Sequence, residues 1–330
     1  MRKLILGIDG GGTKSHLGLF ELSGEYVASA AWGMLNHELL AGSYEQLKRE
    51  LSDFIGGALK TANANINGIT YAVLGLAGVD TVTQHEIISG VLREIGLKSF
   101  ILCNDGYLGI AAGCPNGVGI CAINGTGTVI TAIDYNGVMA QVGGGGNLYD
   151  DCGGSSWFGT QVMRVVYREL FKCGQPTALT EKVFDCLKIT QKDEYPDAVR
   201  IALKDHKRTL SEFNRFVFSA AGAGDAVANA ILERSAKHYA GGIAYLAKQY
   251  GFPAEKPLYI TLAGSVFVKQ EVKILPQLID EKVKVLLGAG REIIFGSLKT
   301  PPVTGAVAWA FKEAGAVADL EAIHSALKNL

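Results

Sequence analysis

ILGIDGGGTKSHLGLF, residues 5–20, carries the pattern from which the fold of this chain can be predicted. An apolar run ends in a carboxylate, Asp9, and apolar residues alternate again after a short polar loop, which predicts strand, tight turn and strand. The loop consists of Gly10, Gly11, Gly12, Thr13 and Lys14. Because glycines have no Cβ, their amides can approach an anion closely. The stretch predicts a nucleotide-phosphate loop with Mg²⁺ beside Asp9, and an ordinary glycine hairpin is the alternative.

A second copy of this pattern occurs at residues 120–133, which read ICAINGTGTVITAI. The apolar run here meets Asn124 instead of an aspartate, and apolar alternation resumes after the loop. The loop residues are Gly125, Thr126, Gly127 and Thr128. The repeat predicts two related halves, whose facing hairpins would hold the phosphates of one nucleotide. Since Asn124 stands where the first copy has Asp9, the metal would lie on the side of the first half.

Length and charge limit the classes of protein to which the chain can belong. Its 330 residues suit two domains. The 31 Lys and Arg residues balance 32 Asp and Glu residues, which argues against nucleic acid or an anionic membrane as partner. The N-terminus lacks a signal sequence and no apolar run is long enough to span a bilayer, so we expect a cytoplasmic protein. The six cysteines show no C-x-x-C spacing, which predicts free thiols.

The order of predicted elements in the first half is βββαβαβα. Strands that alternate with helices predict a mostly parallel sheet, with ligands at the carboxyl ends of the strands. The Pro115-Asn116-Gly117 turn predicts a boundary, which gives lobes at 1–115 and 116–318. In the second lobe, we expect strands at 138–142 and 257–263 and a helix directly after Ser265. The remaining predicted elements are a helical insertion at about 175–250 and helices at 304–314 and 319–330, the last of which could join the first lobe.

Asp105 is the second carboxylate of interest. It directly follows the predicted strand 99–103 and therefore lies at the ligand edge of the sheet. A carboxylate at this place could accept a proton from a substrate hydroxyl that attacks the γ-phosphate of a nucleotide. An Asx-turn or a cap of the following helix is the alternative. The repeated hairpin favours catalysis.

Two further loops carry polar groups among glycines. Residues 143–157, GGGGNLYDDCGGSSW, suit a polyhydroxylated ligand, although a solvated loop remains possible. Gly264 and Ser265 follow a strand and could admit adenine or ribose, or could simply open a helix. Lys14 does not fit the G-x-x-x-x-G-K-[ST] pattern, and we expect its ammonium to be solvated on the second strand. Among the histidines, only His37 is expected to be a substrate contact.

Five motifs occur in order over nearly the whole chain: GIDGGGTKS, LGLAGVD, NDGYLGIAAG, INGTGT and LAGSVF. Together they resemble the BadF/BadG-type ATPase family, which includes the N-acetylglucosamine kinases of the actin-like sugar kinase superfamily. The resemblance implies an α/β fold with two actin-like (ribonuclease H-like) lobes that close on the substrate. It also implies ATP and Mg²⁺ as cofactors, an amino sugar as substrate and a homodimer.

The resemblance also assigns roles to individual residues. Residues 9–14 resemble the first phosphate loop and 125–128 the second, Asp105 resembles the catalytic base, and Gly264 and Ser265 resemble the adenosine loop. The residues that would contact the sugar are Asn36, His37, Asn104, Asp105, Gly143, Gly144, Gly145, Gly146, Asn147 and Asp151.

The chain departs from the family pattern in the sugar loop. The family usually has Gly-Trp-Gly-His where residues 144–147 read Gly-Gly-Gly-Asn, and Asp-Glu-Gly where residues 151–153 read Asp-Cys-Gly. Because of these smaller side chains, the identity of the sugar stays open. One hypothesis is that the loop makes room for a bulkier sugar that bears a lactyl ether. The smaller side chains also leave open whether Cys152 is a substitute ligand or a passive filler.

Three functions remain after this comparison. The first is an ATP-dependent kinase of N-acetylglucosamine, N-acetylmuramic acid or glucosamine, with Asp105 as general base. The second is an activator ATPase that couples hydrolysis to a partner reductase or dehydratase. In this family such activators hold an iron–sulfur cluster through paired cysteines, and no cysteine pair here has that spacing. The third is a sugar sensor without turnover.

Overall fold

Two five-stranded sheets form the frame of the molecule. The structure is a computed structural model that describes residues 2–204, 208–270, 272–288 and 290–330. The strands of the first sheet are β1 (Leu4–Gly10), β2 (Ser15–Glu21), β3 (Tyr26–Trp32), β4 (Ile69–Leu76) and β5 (Phe100–Cys103). Those of the second are β6 (Gly119–Asn124), β7 (Thr128–Ile133), β8 (Met139–Gly143), β9 (Leu258–Ala263) and β10 (Ile293–Ser297).

The two sheets have the same topology. The order of strands is β3-β2-β1-β4-β5 in the first and β10-β9-β6-β7-β8 in the second, so β6 occupies the place of β1. In each sheet the first three strands are antiparallel, and the other two run parallel to the central strand. The predicted duplication is therefore confirmed. The carboxyl ends of the three parallel strands share one edge of each sheet, which is called its ligand edge below.

Helices cover the sheets. The helices of the first half are α1 (Ser43–Thr61), α2 (Val82–Ile95) and α3 (Gly106–Gly113). The second half continues with α4 (Ser155–Phe171), and the predicted insertion at about 175–250 contains α5 (Ala178–Leu187), α6 (Tyr195–Lys204), α7 (Asn214–Gly222) and α8 (Ala226–Gln249). The last helices are α9 (Ser265–Val268), α10 (Ile274–Leu287), α11 (Pro302–Glu313) and α12 (Leu320–Leu327). None of the described helices is both long and apolar enough to cross a bilayer.

Three elements of the second half differ from the prediction. Strand β10 was not predicted, because its five residues are half-buried or exposed and lack a clear alternation. Helix α6 falls inside the predicted helical insertion but was not predicted as a separate helix, and it has Pro196 in its first turn, where proline is tolerated. The single helix expected after Ser265 is divided into α9 and α10.

Helices α3 and α11 lie between the two sheets and join them. A hydrophobic cluster in this layer contains Ile5 and Val73 of the first sheet, Cys121 and Ala263 of the second, and Val307 of α11. Both C-terminal helices contact the first sheet, α11 at β1 and α12 at β3. The lobe limits 1–115 and 116–318 stay predictions, and α11 packs against the first sheet although it lies within 116–318. Asp319 caps α12 by accepting from the Ala322 amide at 3.0 Å.

Candidate active site

The two repeated hairpins meet at the ligand edges of their sheets. The Oγ1 atoms of Thr13 and Thr126 are 3.2 Å apart, although 113 residues separate them in the chain. Both threonines are exposed. The structure therefore brings together the two loops that the sequence predicts to hold phosphates.

Packing and turn geometry explain why glycines occur in the first hairpin. A Cβ on Gly10 would overlap the Leu76 side chain at the end of β4, so this glycine permits β1 and β4 to pack closely. The Gly11 amide donates to the Lys14 carbonyl at 3.2 Å and closes the turn. Gly12 is half-buried and Lys14 is exposed. Lys14 lies in the turn, one residue before β2, and not on the second strand as predicted.

A side chain of the long helix α8 anchors the second hairpin through hydrogen bonds. The Thr128 hydroxyl donates to the Tyr239 hydroxyl at 2.6 Å, which in turn donates to the Ile123 carbonyl at 2.9 Å. Tyr239 is fully buried and Thr128 is 8 % exposed. Thr128, predicted to contact the nucleotide, thus anchors the loop, while Thr126 and Gly127 form its exposed tip.

The predicted adenosine loop lies directly against the second hairpin. Gly264 has φ +90°, which is strained for any residue with a side chain. A Cβ at this position would lie 2.5 Å from the Asn124 carbonyl oxygen and 2.9 Å from the Gly125 amide nitrogen. Ser265, the next residue, is exposed at the start of α9. Gly264 therefore permits β9 to end beside the phosphate loop.

Asp9 and Asp105 both lie at the ligand edge of the first sheet, and the pKa of each carboxyl group is raised. Burial and the charge of Asp105 raise the pKa of Asp9 to about 7, against the lowering effect of Lys14. Burial and the charge of Asp80 raise the pKa of Asp105 to about 7, although the Gly106 amide opposes this shift. Asp9 and Asp105 therefore interact across the edge, in a place where desolvation penalises both negative charges.

Asp80 is a third carboxylate at this edge, and the sequence analysis did not select it. Its Oδ1 accepts from Asn104 Nδ2 at 2.9 Å and from Gln141 Nε2 at 2.6 Å. Asn104 is 4 % exposed, and its Oδ1 accepts from the Gly106 amide at 2.8 Å. Both polar atoms of Asn104, a predicted sugar contact, are therefore bonded within the protein.

The glycine loop after β8 is organised by Asp151. This carboxylate is 3 % exposed, and its Oδ2 accepts from the amides of Gly144 at 3.0 Å and Gly146 at 2.7 Å. Gly143, Gly144 and Gly146 have φ between 64° and 97°, so the run of glycines is required by its backbone. Oδ1 of Asp151 faces His238 Nε2 of α8 at 3.9 Å.

The changed positions of the glycine loop are filled from within the loop. The Tyr149 ring lies over Gly145 and leaves no room for a Cβ there. Cys152 is 3 % exposed and its thiol donates to the Asp150 carbonyl at 3.2 Å, while burial raises the pKa of the thiol. These contacts favour the passive role for Cys152. Asn147 belongs to the 3₁₀ turn Gly146–Tyr149, and its side chain lies outside the described part of the structure.

Asn36 and His37 lie in the loop between β3 and α1. Asn36 Oδ1 accepts from the Glu38 amide at 2.9 Å, which leaves its amide nitrogen for a ligand. The His37 ring is 4 % exposed and stacks on Tyr44 with 4.4 Å between ring centroids. Burial lowers the pKa of His37, so the ring is neutral near pH 7. Both side chains lie beside Gly78, and Gly78 belongs to the segment that leads from β4 to Asp80.

The acidic groups of the site fit a divalent cation only together with a nucleotide. Within the described residues, no group of three or more His, Cys, Asp or Glu side chains could hold a metal ion. Mg²⁺ commonly takes one or two carboxylates and completes its shell with phosphate oxygens and water. Asp9 could be one of these carboxylates. Its side chain is 15 % exposed, and a cation beside it would offset the burial that disfavours its negative charge.

The structure brings most predicted site residues to one place, where the two ligand edges meet, and adds several that were missed. Asp80 ends the LGLAGVD motif four residues after Leu76, the last residue of β4, so its place soon after a strand at the ligand edge is the signal that could have found it. Gln141, His238 and Tyr239 carry no comparable signal, because only the packing of β8 and α8 brings them to the site.

The duplicated sheets, the facing hairpins and the shared central helices define an actin-like fold of two α/β lobes. The chain belongs to the BadF/BadG/BcrA/BcrD ATPase family, whose model matches residues 6–310. This result confirms the family that the five motifs indicate.

Individual relatives cover most of the chain. It is 25 % identical over 291 residues to the N-acetylmuramic acid/N-acetylglucosamine kinase of Clostridium acetobutylicum, with 86 % of this chain and 94 % of that protein aligned. It is 22 % identical to the N-acetyl-D-glucosamine kinase of Dictyostelium discoideum, over 86 % of this chain and 90 % of that protein. A crystal structure of a putative N-acetylglucosamine kinase from Chromobacterium violaceum has a TM-score of 0.69 at 19 % identity and covers 94 % of this chain and 99 % of its own.

Proposed function

We propose that this protein is an ATP-dependent kinase that transfers the γ-phosphate to a hydroxyl of an amino sugar. The observation that carries the proposal is the pair Asp9 and Asp105, whose carboxyl groups both have a pKa raised to about 7 beside the two hairpins. A base with a pKa near the working pH is suited to take a proton from an alcohol. Membership of an ATPase family supports ATP as the phosphoryl donor.

Each part of the site has a role in this proposal. The hairpin amides and the exposed Thr13 and Thr126 would bind the phosphates, and Gly264 and Ser265 would accommodate the nucleoside. Mg²⁺ beside Asp9 would neutralise charge on the phosphates. Asp105 would orient the attacking hydroxyl and accept its proton. Because in-line transfer depends on positioning, the glycine loop and the Asn36 segment would hold the sugar in place.

We expect the substrate to be N-acetylmuramic acid or N-acetylglucosamine, with glucosamine as a further candidate. The two curated relatives are kinases of N-acetylated amino sugars, and both align over most of their length. In the glycine loop, Asp151 accepts from the Gly144 and Gly146 amides, so this buried carboxylate would shape the backbone of residues 143–146 for a polyhydroxylated ligand. A homodimer is expected from the family resemblance.

The proposal is tested by ADP release from ATP and Mg²⁺ with N-acetylglucosamine, N-acetylmuramic acid, glucosamine, glucose or no sugar. We expect sugar-dependent release that falls by about 10²- to 10⁴-fold in Asp105→Asn, since the variant lacks the base. Asp53→Asn, which changes an exposed aspartate of α1, is the matched control and should keep wild-type rates. A rate of ADP release that is the same with and without every sugar would favour the activator ATPase. Sugar binding without ADP release would favour a sensor.

A further inference from the structure

Asp80 occupies a junction between the two sheets. It follows β4 of the first sheet, and a single oxygen, Oδ1, accepts two hydrogen bonds. One comes from Asn104, the neighbour of Asp105 in the chain, at 2.9 Å. The other comes from Gln141 of β8 in the second sheet, at 2.6 Å. One carboxylate therefore links the residue beside the proposed base to the strand that leads into the glycine loop.

Asp80 and the groups around it make further contacts within the protein. Asn104 Oδ1 accepts from the Gly106 amide, which begins α3 directly after Asp105. The Asp80 amide donates to Gln84 Oε1 at 3.0 Å, within the capping box of α2. A Cβ on Gly144 would lie 3.0 Å from Asp80 Oδ1, so the carboxylate also adjoins the backbone of the glycine loop. A shift of Asp80 would thus move both the proposed base and the sugar loop.

The charges around Asp80 couple it to Asp105. Burial and the charges of Glu38 and Asp151 raise the pKa of Asp80, while the bonds from Gln141 and Asn104 lower it. The charge of Asp80 is in turn the main electrostatic cause of the raised pKa of Asp105. Removal of this charge would lower the pKa of Asp105, because its ionised form would lose a repulsive neighbour.

We propose that Asp80 is a positioning residue for phosphoryl transfer, which orients Asp105 through Asn104 and joins the base to the glycine loop through Gln141. The inference rests on the proposed kinase function. Asp80 acts through its hydrogen-bond partners and touches neither phosphate nor the reacting hydroxyl. Its loss would therefore leave ATP binding intact and would impair the alignment of base and sugar.

Three variants separate the charge of Asp80 from its bonds. Asp80→Asn removes the charge but keeps an oxygen that can accept from Asn104 and Gln141, so the acidic limb of its pH–rate profile should move to lower pH. Asp80→Ala also removes both bonds, and we expect kcat to fall about tenfold or more, as for a small misplacement of reacting groups, while KM for ATP stays unchanged. Gln141→Leu removes the bond between the sheets and the 3.4 Å bond from Gln141 to the Gly143 carbonyl, so KM for the sugar should rise while the acidic limb stays in place. The control is Glu86→Gln, which removes an exposed charge of α2.

Hydrogen–deuterium exchange supplies a readout that does not need turnover. In Asp80→Ala, segments 104–108 and 141–146 should both exchange faster than in the wild type, whereas Glu86→Gln should leave them unchanged. Wild-type protein that phosphorylates no sugar would contradict the proposed function, and the exchange of these segments would still decide the role of Asp80. Unchanged exchange in Asp80→Ala, or kinetics and a pH limb equal to those of Glu86→Gln, would overturn the positioning role.

Discussion

Replacement of Tyr239 by phenylalanine tests how the second hairpin is held. The tyrosine hydroxyl lies in a fully buried position between Thr128, which donates to it at 2.6 Å, and the Ile123 carbonyl, to which it donates at 2.9 Å. The ring itself packs against Phe267 of α9, with 5.0 Å between centroids, and phenylalanine would keep this contact. The substitution thus removes two hydrogen bonds and leaves the apolar packing unchanged.

The two bonds set the expected size of the effect. A buried hydrogen bond contributes about 1 kcal/mol to stability, and a buried polar group that loses its partner costs about 1–3 kcal/mol. The Thr128 hydroxyl can rotate toward another acceptor, while the Ile123 carbonyl cannot move without β6. We therefore expect Tyr239→Phe to lower the free energy of unfolding by about 2 kcal/mol.

Urea-induced unfolding of the two proteins at equal pH measures this difference. Tyr245→Phe is the matched control, because Tyr245 lies on the same helix with 53 % of its surface exposed and should change stability by less than about 0.5 kcal/mol. A loss in Tyr239→Phe no larger than that of the control would refute the argument that α8 anchors the phosphate loop through this hydroxyl.

Two further predictions concern the nucleotide loop and the base. Gly264→Ala should destabilise the protein by more than about 2 kcal/mol and weaken ATP binding, because the new Cβ would meet the Asn124 carbonyl at a φ of +90°. Thermal unfolding and isothermal calorimetry measure both effects, and Gly57→Ala in α1, where no atom lies within 4 Å of the added Cβ, is the control. Since the raised pKa of both Asp105 and Asp9 is about 7, and both the base and the metal ligand must be ionised, kcat/KM for ATP should fall at least about tenfold per unit below pH 7. A rate that stays constant down to pH 5 would contradict this role.

Much of the fold could be predicted from local patterns. Strand β1 alternates into Asp9 and the glycines, β6 repeats this order, and the repeat gives two sheets of one topology. Strand β10 was missed because a short edge strand with exposed positions has no strong period. The run of glycines at 143–146 was correctly singled out, and its backbone angles give it a conformational reason that the sequence alone did not reveal.

The candidate site could be predicted where a residue follows directly from the end of a strand. Asp9 and Asp105 fall in this class, since the chain direction of a parallel strand places the next residue at the ligand edge. His37, chosen as a histidine in a loop, and Asn104, assigned by the family resemblance, were expected to contact the sugar, whereas packing against Tyr44 and bonding to Asp80 give them internal partners. Burial of a loop residue depends on neighbours that are remote in sequence.

Local patterns in the chain already specify the duplicated architecture, the two glycine hairpins and the carboxylates at the ligand edge, because periodicity and strand ends are local properties of a chain. Which side chains complete the site depends on the three-dimensional fold. Gln141 reaches Asp80 across 61 residues, and Tyr239 reaches Thr128 across 111. Such contacts depend on how β8 and α8 pack against the rest of the fold, and packing is the sum of many weak interactions that no short stretch of sequence contains.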